Sequence, residues 1–218
     1  MNSDALPLIL LGGGGHATVV AEAARLRGIE VAGVFDDAAD PVAASGANPV
    51  PYLGTLRSLL GGDLPPTSRW LLCVGDCQIR RGCLDRLASG SAATVIHPTA
   101  FVSPTSTVGP GVFVGPLALV HTGAHIDAHA IINSAAVVEH HCHIGENTHI
   151  APHVTLGGNV GVGPDTLVGL GAVVLPGVRI GAGCVIGAGA VVRESVSDGA
   201  RVAGNPARPL PRPAAPLT

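Results

Sequence analysis

From Ile96 to Val192 an aliphatic residue recurs every six positions: Ile96, Val102, Val108 and onward, seventeen consecutive hits in one register with none missing. A period of six fits neither the 3.6 of a helix nor the 2 of a strand. Four positions after each hit the side chain is small, as at Ala118, Ala124, Cys142 and Ala190. Gly often follows the hit directly, as at Gly109, Gly163 and Gly181. Such a pattern predicts a parallel β-helix of hexapeptide repeats. Each hexad forms one short strand and one turn, and three hexads close a triangular coil. Residues eighteen apart then stack about 4.8 Å apart, like neighbouring strands. The aliphatic residues point into the prism, where burial stabilises the fold by roughly 1.5–3 kcal/mol each. Gly after the hit is expected to supply turn conformations that a Cβ would obstruct.

The 218 residues are 47% hydrophobic but only 2% aromatic and 12% charged, so the core must be built of small aliphatic side chains, which suits a narrow prism. A net charge of −3 gives no electrostatic case for nucleic acid or an acidic membrane. No apolar run is long enough to span a bilayer. The apolar start, Ala5 to Leu11, lacks preceding basic residues and reads as a strand rather than a signal peptide. Five cysteines without a CxxC pair read as reduced thiols of a cytoplasmic protein, with Cys142 and Cys184 at inward hexad positions.

Residues 1–92 have a different character. Apolar runs at Leu8–Leu11, Ile29–Phe35 and Trp70–Val74 alternate with helical patterns after Gly15, over Thr55–Leu60 and from Cys77 to about Ala88. Strand alternating with helix predicts a small Rossmann-like α/β domain. Its first turn, Gly12 to Ala17, has the form G-x-G-x-x-A, with Asp36 about twenty residues on. Glycines there let backbone N–H groups and a helix N-terminus approach a phosphate. The domain is short for a full dinucleotide. A mononucleotide, such as the nucleotide part of a sugar donor, and a tight turn without ligand are the other readings. The division expected is therefore an α/β domain over 1–92, a parallel β-helix over 93–196, and a C-terminal segment over 197–218 ending in a disordered Pro-rich tail, Pro209–Thr218. That the β-helix is left-handed is implied by its resemblance to known hexapeptide coils and not by the hexad itself.

Eight of the ten histidines lie between His121 and His153. In Glu139-His140-His141-Cys142-His143, His140 and His141 fall in a turn and project from a corner of the coil. Eighteen residues on lie Gly157, Gly158 and Asn159, so a glycine corner stacks on a histidine corner. Space is left beside an imidazole, and exposed backbone N–H groups there suit an oxyanion. For His125, His129, His143 and His153 the expectation is a solvated surface. A histidine–zinc site is a further reading of such a cluster, but no two histidines stand five apart, the spacing of a zinc enzyme built on a similar coil. No metal is expected.

Taken in order, the Gly-rich turn through His16, Asp36-Asp37, Gly75-Asp76, Ile79-Arg80, Asn133, Glu139-His140, His149, Gly157-Gly158-Asn159 and Val202-Ala203-Gly204-Asn205-Pro206-Ala207-Arg208 resemble bacterial sugar acyltransferases. That family includes sialic acid O-acetyltransferases and N-acetyltransferases of nucleotide-linked 4-amino-sugars. The resemblance implies a homotrimer with acetyl-CoA lying along the coil between subunits and a nucleotide-linked amino-sugar as acceptor. It makes His140 the general base, with support from Glu139 or His141. It places His149, Gly157, Gly158, Gly204 and Pro206 at the coenzyme, and Gly13, His16, Asp36, Asp37, Asp76 and Asn133 at the substrate. One departure stands out: the family carries an acidic residue after the base, and this chain carries His141. Glu139 and a carboxylate from a neighbouring subunit are further candidates for orienting His140.

An imidazole titrates near pH 6.5 and can take a proton from an attacking amine at neutral pH. The expected reaction is direct transfer from acetyl-CoA to the amino group of a UDP- or GDP-linked amino-sugar. The alternative is O-acetylation of sialic acid or another cell-surface sugar. A catalytically silent trimeric scaffold is the reading of a different class.

Overall fold

The computed structural model describes residues 6–60, 68–87 and 91–211. The expected helix end at Ala88 and the part of the expected disordered tail from 212 lie outside them. The start of that tail is ordered instead, with Pro209 in a strand and the Leu210 N–H donating to the Arg201 carbonyl at 2.7 Å. The chain opens with an α/β unit whose strands are β1 (Leu8–Leu11), β2 (Val31–Phe35), β3 (Tyr52–Gly54) and β4 (Arg69–Leu72). They form one parallel sheet in the order β3-β2-β1-β4. Helices α1 (Gly15–Leu26), α2 (Leu56–Leu60) and α3 (Cys77–Leu84) alternate with them. β1, an inner parallel strand, is buried along its whole length, and so is β4 at the edge of the sheet, where Trp70 bridges to Ala92. β2 starts two residues later than the apolar pattern suggests, and β3 was not expected. β3 is a largely exposed edge strand of three residues, with no alternation to betray it.

After the α/β unit the chain winds as a parallel β-helix of two-residue strands on three faces. The first face carries Val95–Ile96, Phe113–Val114, Ile131–Ile132, His149–Ile150, Leu167–Val168 and Val185–Ile186. The second runs from Phe101–Val102 to Val191–Val192, and the third from Thr107–Val108 to Arg179–Ile180. Strand partners are eighteen residues apart, as in His125 with His143 and Val137 with Thr155. The period-six column from Val114 to Val192 is buried in one continuous core with the small residues between, Cys142 and Cys184 included. Strand Arg201–Ala203 extends the first face, and Arg208–Pro209 turns back on it antiparallel.

The glycines divide into two classes with different causes. The left-handed backbone lies three positions after the aliphatic hit, at Gly111, Gly123, Gly171 and Gly183, but also at His129, His141, Asn147 and Asn159. Gly directly after the hit does not adopt it. A Cβ there would instead strike the backbone of the next coil: at Gly163 it would come within 2.6 Å of the Ala182 nitrogen. Close approach of successive coils, not turn conformation, requires those glycines.

The two units share a core. Phe113 and Ile131, outward on the first face, pack with Leu8, Leu10, Val20 and Leu71 of the α/β unit. A polar seam runs beside it. The Arg80 side chain on α3 is buried and donates to Asn147 Oδ1 at 2.6 Å, to the Asn147 carbonyl at 2.7 Å and to the Val74 carbonyl at 2.8 Å. Arg81 adds ion pairs to Asp165 at 2.9 Å and Glu146 at 3.0 Å. Neither Asn147 nor Asp165 was singled out from the sequence. Asn147 sits at the left-handed turn position, which Asn tolerates, and its side chain points into the seam.

Candidate active site

His140 and His141 occupy the turn between the second-face strand Val137–Val138 and the third-face strand His143–Ile144. Both are exposed. Their Nδ1 atoms lie 3.1 Å apart and share a hydrogen bond, with the ring planes at 78°. Glu139 is not the imidazole's partner: its Oε2 accepts the backbone N–H of His140 at 3.2 Å. The His140 ring extends over Gly158 in the next coil, where a Cβ would come within 2.4 Å of Nε2 and of Cε1. The His141 ring lies over Gly123 in the previous coil, where a Cβ would come within 2.9 Å of Cδ2. Each imidazole thus fits because the facing turn carries glycine.

The same corner leaves a donor open. At several turns the residue after the aliphatic hit caps the next N–H with its side chain. His121 Nδ1 takes the Thr122 N–H, Asn133 Oδ1 takes that of Ser134, and Glu139 takes that of His140. Gly157 has no side chain to do this. Gly157 and Asn159 donate their own N–H groups to the Val174 and His140 carbonyls. Among the described residues the Gly158 N–H meets no acceptor, and it stands beside the His140 imidazole. An imidazole next to an uncommitted N–H is the arrangement that proton transfer with oxyanion stabilisation requires.

The other predicted residues gather in the α/β unit and at its junction with the coil. In the Gly-rich loop, Asp36 Oδ2 accepts the Gly13 N–H, and Asp36 Oδ1 that of Ala38. A Cβ at Gly13 would come within 2.6 Å of Pro41, whereas Gly14 and Gly15 face open space. Asp37 accepts the Arg57 N–H at 2.9 Å and pairs with its guanidinium. Asp76 caps α3, accepting from Gln78 and Ile79 at 2.9 Å each. Asp36 and Asp76 therefore hold backbone turns, a role the sequence does not distinguish from ligand binding.

His16 and His149 meet beneath that loop, ring centroids 6.5 Å apart, with Phe113 edge-on to His16 at 5.2 Å. His149 Nδ1 donates to the Gly75 carbonyl at 2.9 Å, which leaves Nε2 to accept from Asn133 Nδ2 at 3.1 Å. His149 is thereby fixed as one neutral tautomer. Burial holds its pKa below the usual imidazole value, with Arg80 adding to the effect. His16 is pushed down to about 4 by burial first, then by His149 and Arg80. Its Nε2 is buried and has no hydrogen-bond partner among the described residues. Gly204 and Pro206 lie far along the coil, in the turn between its last two strands, with Gly204 exposed.

The histidine corner and the Gly-rich loop do not meet in one protomer. The α/β unit covers the first face, and the corner lies between the second and third. A further group on the third face could hold a cation: His125, Asp127 and His143 each offer one ligand atom, all within 4.8 Å of one another. The Asp127 carboxylate already takes both Nε2 atoms at 2.9 Å. His129 departs from the expected solvated surface. It stacks on Trp70 at 5.5 Å with planes 6° apart, and burial lowers its pKa.

Residues 7–87 match the family model of the PglD N-terminal domain, and residues 123–158 and 159–194 that of the bacterial transferase hexapeptide (six repeats). The acetyltransferase domain of PglB from Neisseria gonorrhoeae superposes with a TM-score of 0.87 at 36% identity, over 94% of this chain and 99% of that one. Its complex with acetyl coenzyme A gives a TM-score of 0.85 at 35% identity, over 94% and 98%. PerB from Caulobacter crescentus, in complex with CoA and GDP-perosamine, gives a TM-score of 0.83 at 36% identity, over 94% and 97%. Mutants of the GDP-perosamine N-acetyltransferase of that organism in which a histidine is replaced match equally well. No curated protein matches the chain by sequence.

Proposed function

The chain belongs to the hexapeptide-repeat sugar acetyltransferases with a PglD-type N-terminal domain, and on that premise we propose that it carries an acetyl group from acetyl-CoA to the amino group of a UDP- or GDP-linked amino-sugar, with His140 as general base. The observation that carries this reading is the His140 imidazole standing over Gly158, whose N–H meets no acceptor among the described residues. His140 Nε2 takes a proton from the acceptor amine as its nitrogen attacks the thioester carbon. The Gly158 N–H steadies the oxyanion. The carbon–sulfur bond then breaks, and the imidazolium returns the proton to the departing thiolate. No covalent bond to the protein is needed, so both substrates are bound together.

The nucleotide is assigned to the loop at Gly13–His16, where Gly14, Gly15 and the uncapped N-terminus of α1 are open to a phosphate. Because loop and base lie on opposite sides of a protomer, a complete site forms only between copies, which supports the trimer. The second face offers the surface for it. Its outward ladder of Phe101, Leu119, Val137, Thr155, Val173 and Val191 is apolar at every rung but Thr155, with Phe101 54% exposed. On the third face the ladder is Thr107, His125, His143, Gly161 and Arg179. Five unbridged, buried cysteines suit the reducing cytoplasm. Among the described residues no helix is long and apolar enough to cross a membrane.

The test is thiol release from acetyl-CoA with a panel of UDP- and GDP-linked 4-amino-sugars and free sialic acid. Release with an amino-sugar nucleotide is expected. Release with sialic acid alone would move the protein to O-acetylation.

A further inference from the structure

We infer that His141 is the positioning residue for His140, holding it in the tautomer that a base requires and taking the place of a carboxylate. The inference rests on the reading of His140 as the general base. Two imidazoles whose Nδ1 atoms lie 3.1 Å apart bond only if one carries Nδ1–H and the other an Nδ1 lone pair. If His140 is the donor, its Nε2 carries the lone pair, and Nε2 is the atom that overlies Gly158. If His140 is the acceptor, its Nε2 carries the proton and cannot take another.

Only the first arrangement survives the proton transfer unchanged. When His140 gains a proton at Nε2 it still donates through Nδ1 to a neutral His141. In the second arrangement protonation would set two N–H groups against each other, and the turn would have to rearrange. His141 sits in the left-handed region at φ 58°, and its ring meets that of His140 edge-on with centroids 5.3 Å apart. Each ring is bounded by a glycine, Gly158 above and Gly123 below. Glu139 is committed to the His140 backbone. Among the described residues the other charged or titratable groups around this corner are His121 in the coil below, Cys142, whose thiol donates to the Gly157 carbonyl at 3.2 Å, and His143 with Asp127, Glu146 and Arg179 along the third face.

A neutral partner has a consequence that a carboxylate lacks. The resting pair carries no charge, so the imidazolium formed in the reaction is stabilised by a dipole and not by an anion. A carboxylate at position 141 would stabilise it further and raise the basicity of His140. Asp and Asn accept the left-handed backbone readily, so they exchange the side chain without distorting the turn.

The experiment pairs kinetics on the preferred acceptor with imidazole ¹⁵N NMR of the full-length protein. His141→Ala is expected to lower kcat by about tenfold to a hundredfold, the usual effect of losing a group that orients another, with little change in KM. His141→Asp is expected to restore kcat and to move the acid limb of kcat/KM to higher pH. The His140 spectrum should show Nδ1–H in the native protein and a mixture of tautomers in His141→Ala, a readout that needs no acceptor. Unchanged kcat, acid limb and tautomer in His141→Ala, with His140→Ala inactive, would overturn the pairing alone. Full activity in His140→Ala would overturn the general-base reading beneath it.

Discussion

At the scale of the residue, glycine decides what the histidines can do. Gly158 is not in the left-handed region, so alanine is tolerated by its backbone, but the new Cβ would occupy the place of the His140 ring. Gly158→Ala is expected to lower kcat by about 10²–10⁴, as loss of the base would, while the melting temperature stays within a few degrees. Normal kcat in that variant would separate the ring position from the chemistry. His16 gives a prediction of another kind. Its folded pKa, about 4, lies below the 6.5 of a free imidazole. Between those values the unfolded chain takes up a proton that the folded chain refuses. Stability from this group is whole above about pH 6.5 and falls as pH drops toward 4. From pH 7 to 5 the loss is about 2 kcal/mol, read as the difference in denaturant midpoints that His16→Gln abolishes. The two histidines also mark where reading the chain stops. That His140 projects from a corner over glycine follows from counting hexads. That its Nδ1 meets His141 depends on side-chain rotamers, which no spacing reveals. Likewise Asp36 and Asp76 read as ligand candidates, because a capping carboxylate and a binding one look the same in sequence.

At the scale of the element, the hexad is legible because one repeated geometry places every side chain. The column from Val114 to Val192 is buried without exception. The glycines were misread because the sequence does not tell a φ requirement from a steric one. The distinction can be measured. Gly163→Ala would drive a Cβ into the backbone of the next coil and is expected to cost about 1–3 kcal/mol. Gly183, at φ 61° with open space around it, should accept Asn with a change of a few tenths of a kcal/mol. Equal denaturation midpoints for the two variants would refute the two-class account. β3 escaped notice for the opposite reason: a three-residue exposed edge strand carries too little pattern to detect.

At the scale of the molecule, the seam at Arg80 makes the α/β unit and the coil one structure. Arg80→Met keeps the bulk and removes the donors, leaving the Asn147 and Val74 oxygens unpaired. Each orphaned acceptor costs roughly 1–3 kcal/mol. Loss of stability in Arg80→Met, with the α/β unit unfolding at lower denaturant than the coil, is the expected result; one transition at the native midpoint would contradict it. This coupling matters for function because His16, His149 and Asn133 are held together only where the two units meet. The decisive experiment compares the rate of amide formation on the preferred nucleotide-linked amino-sugar by the native protein and by His140→Ala, with product identity established by mass and acetyl-CoA binding checked in both. An N-acetylated sugar nucleotide is expected from the native protein, and a rate lower by about 10²–10⁴ in the variant with coenzyme still bound. An undiminished rate in His140→Ala would contradict the general-base reading.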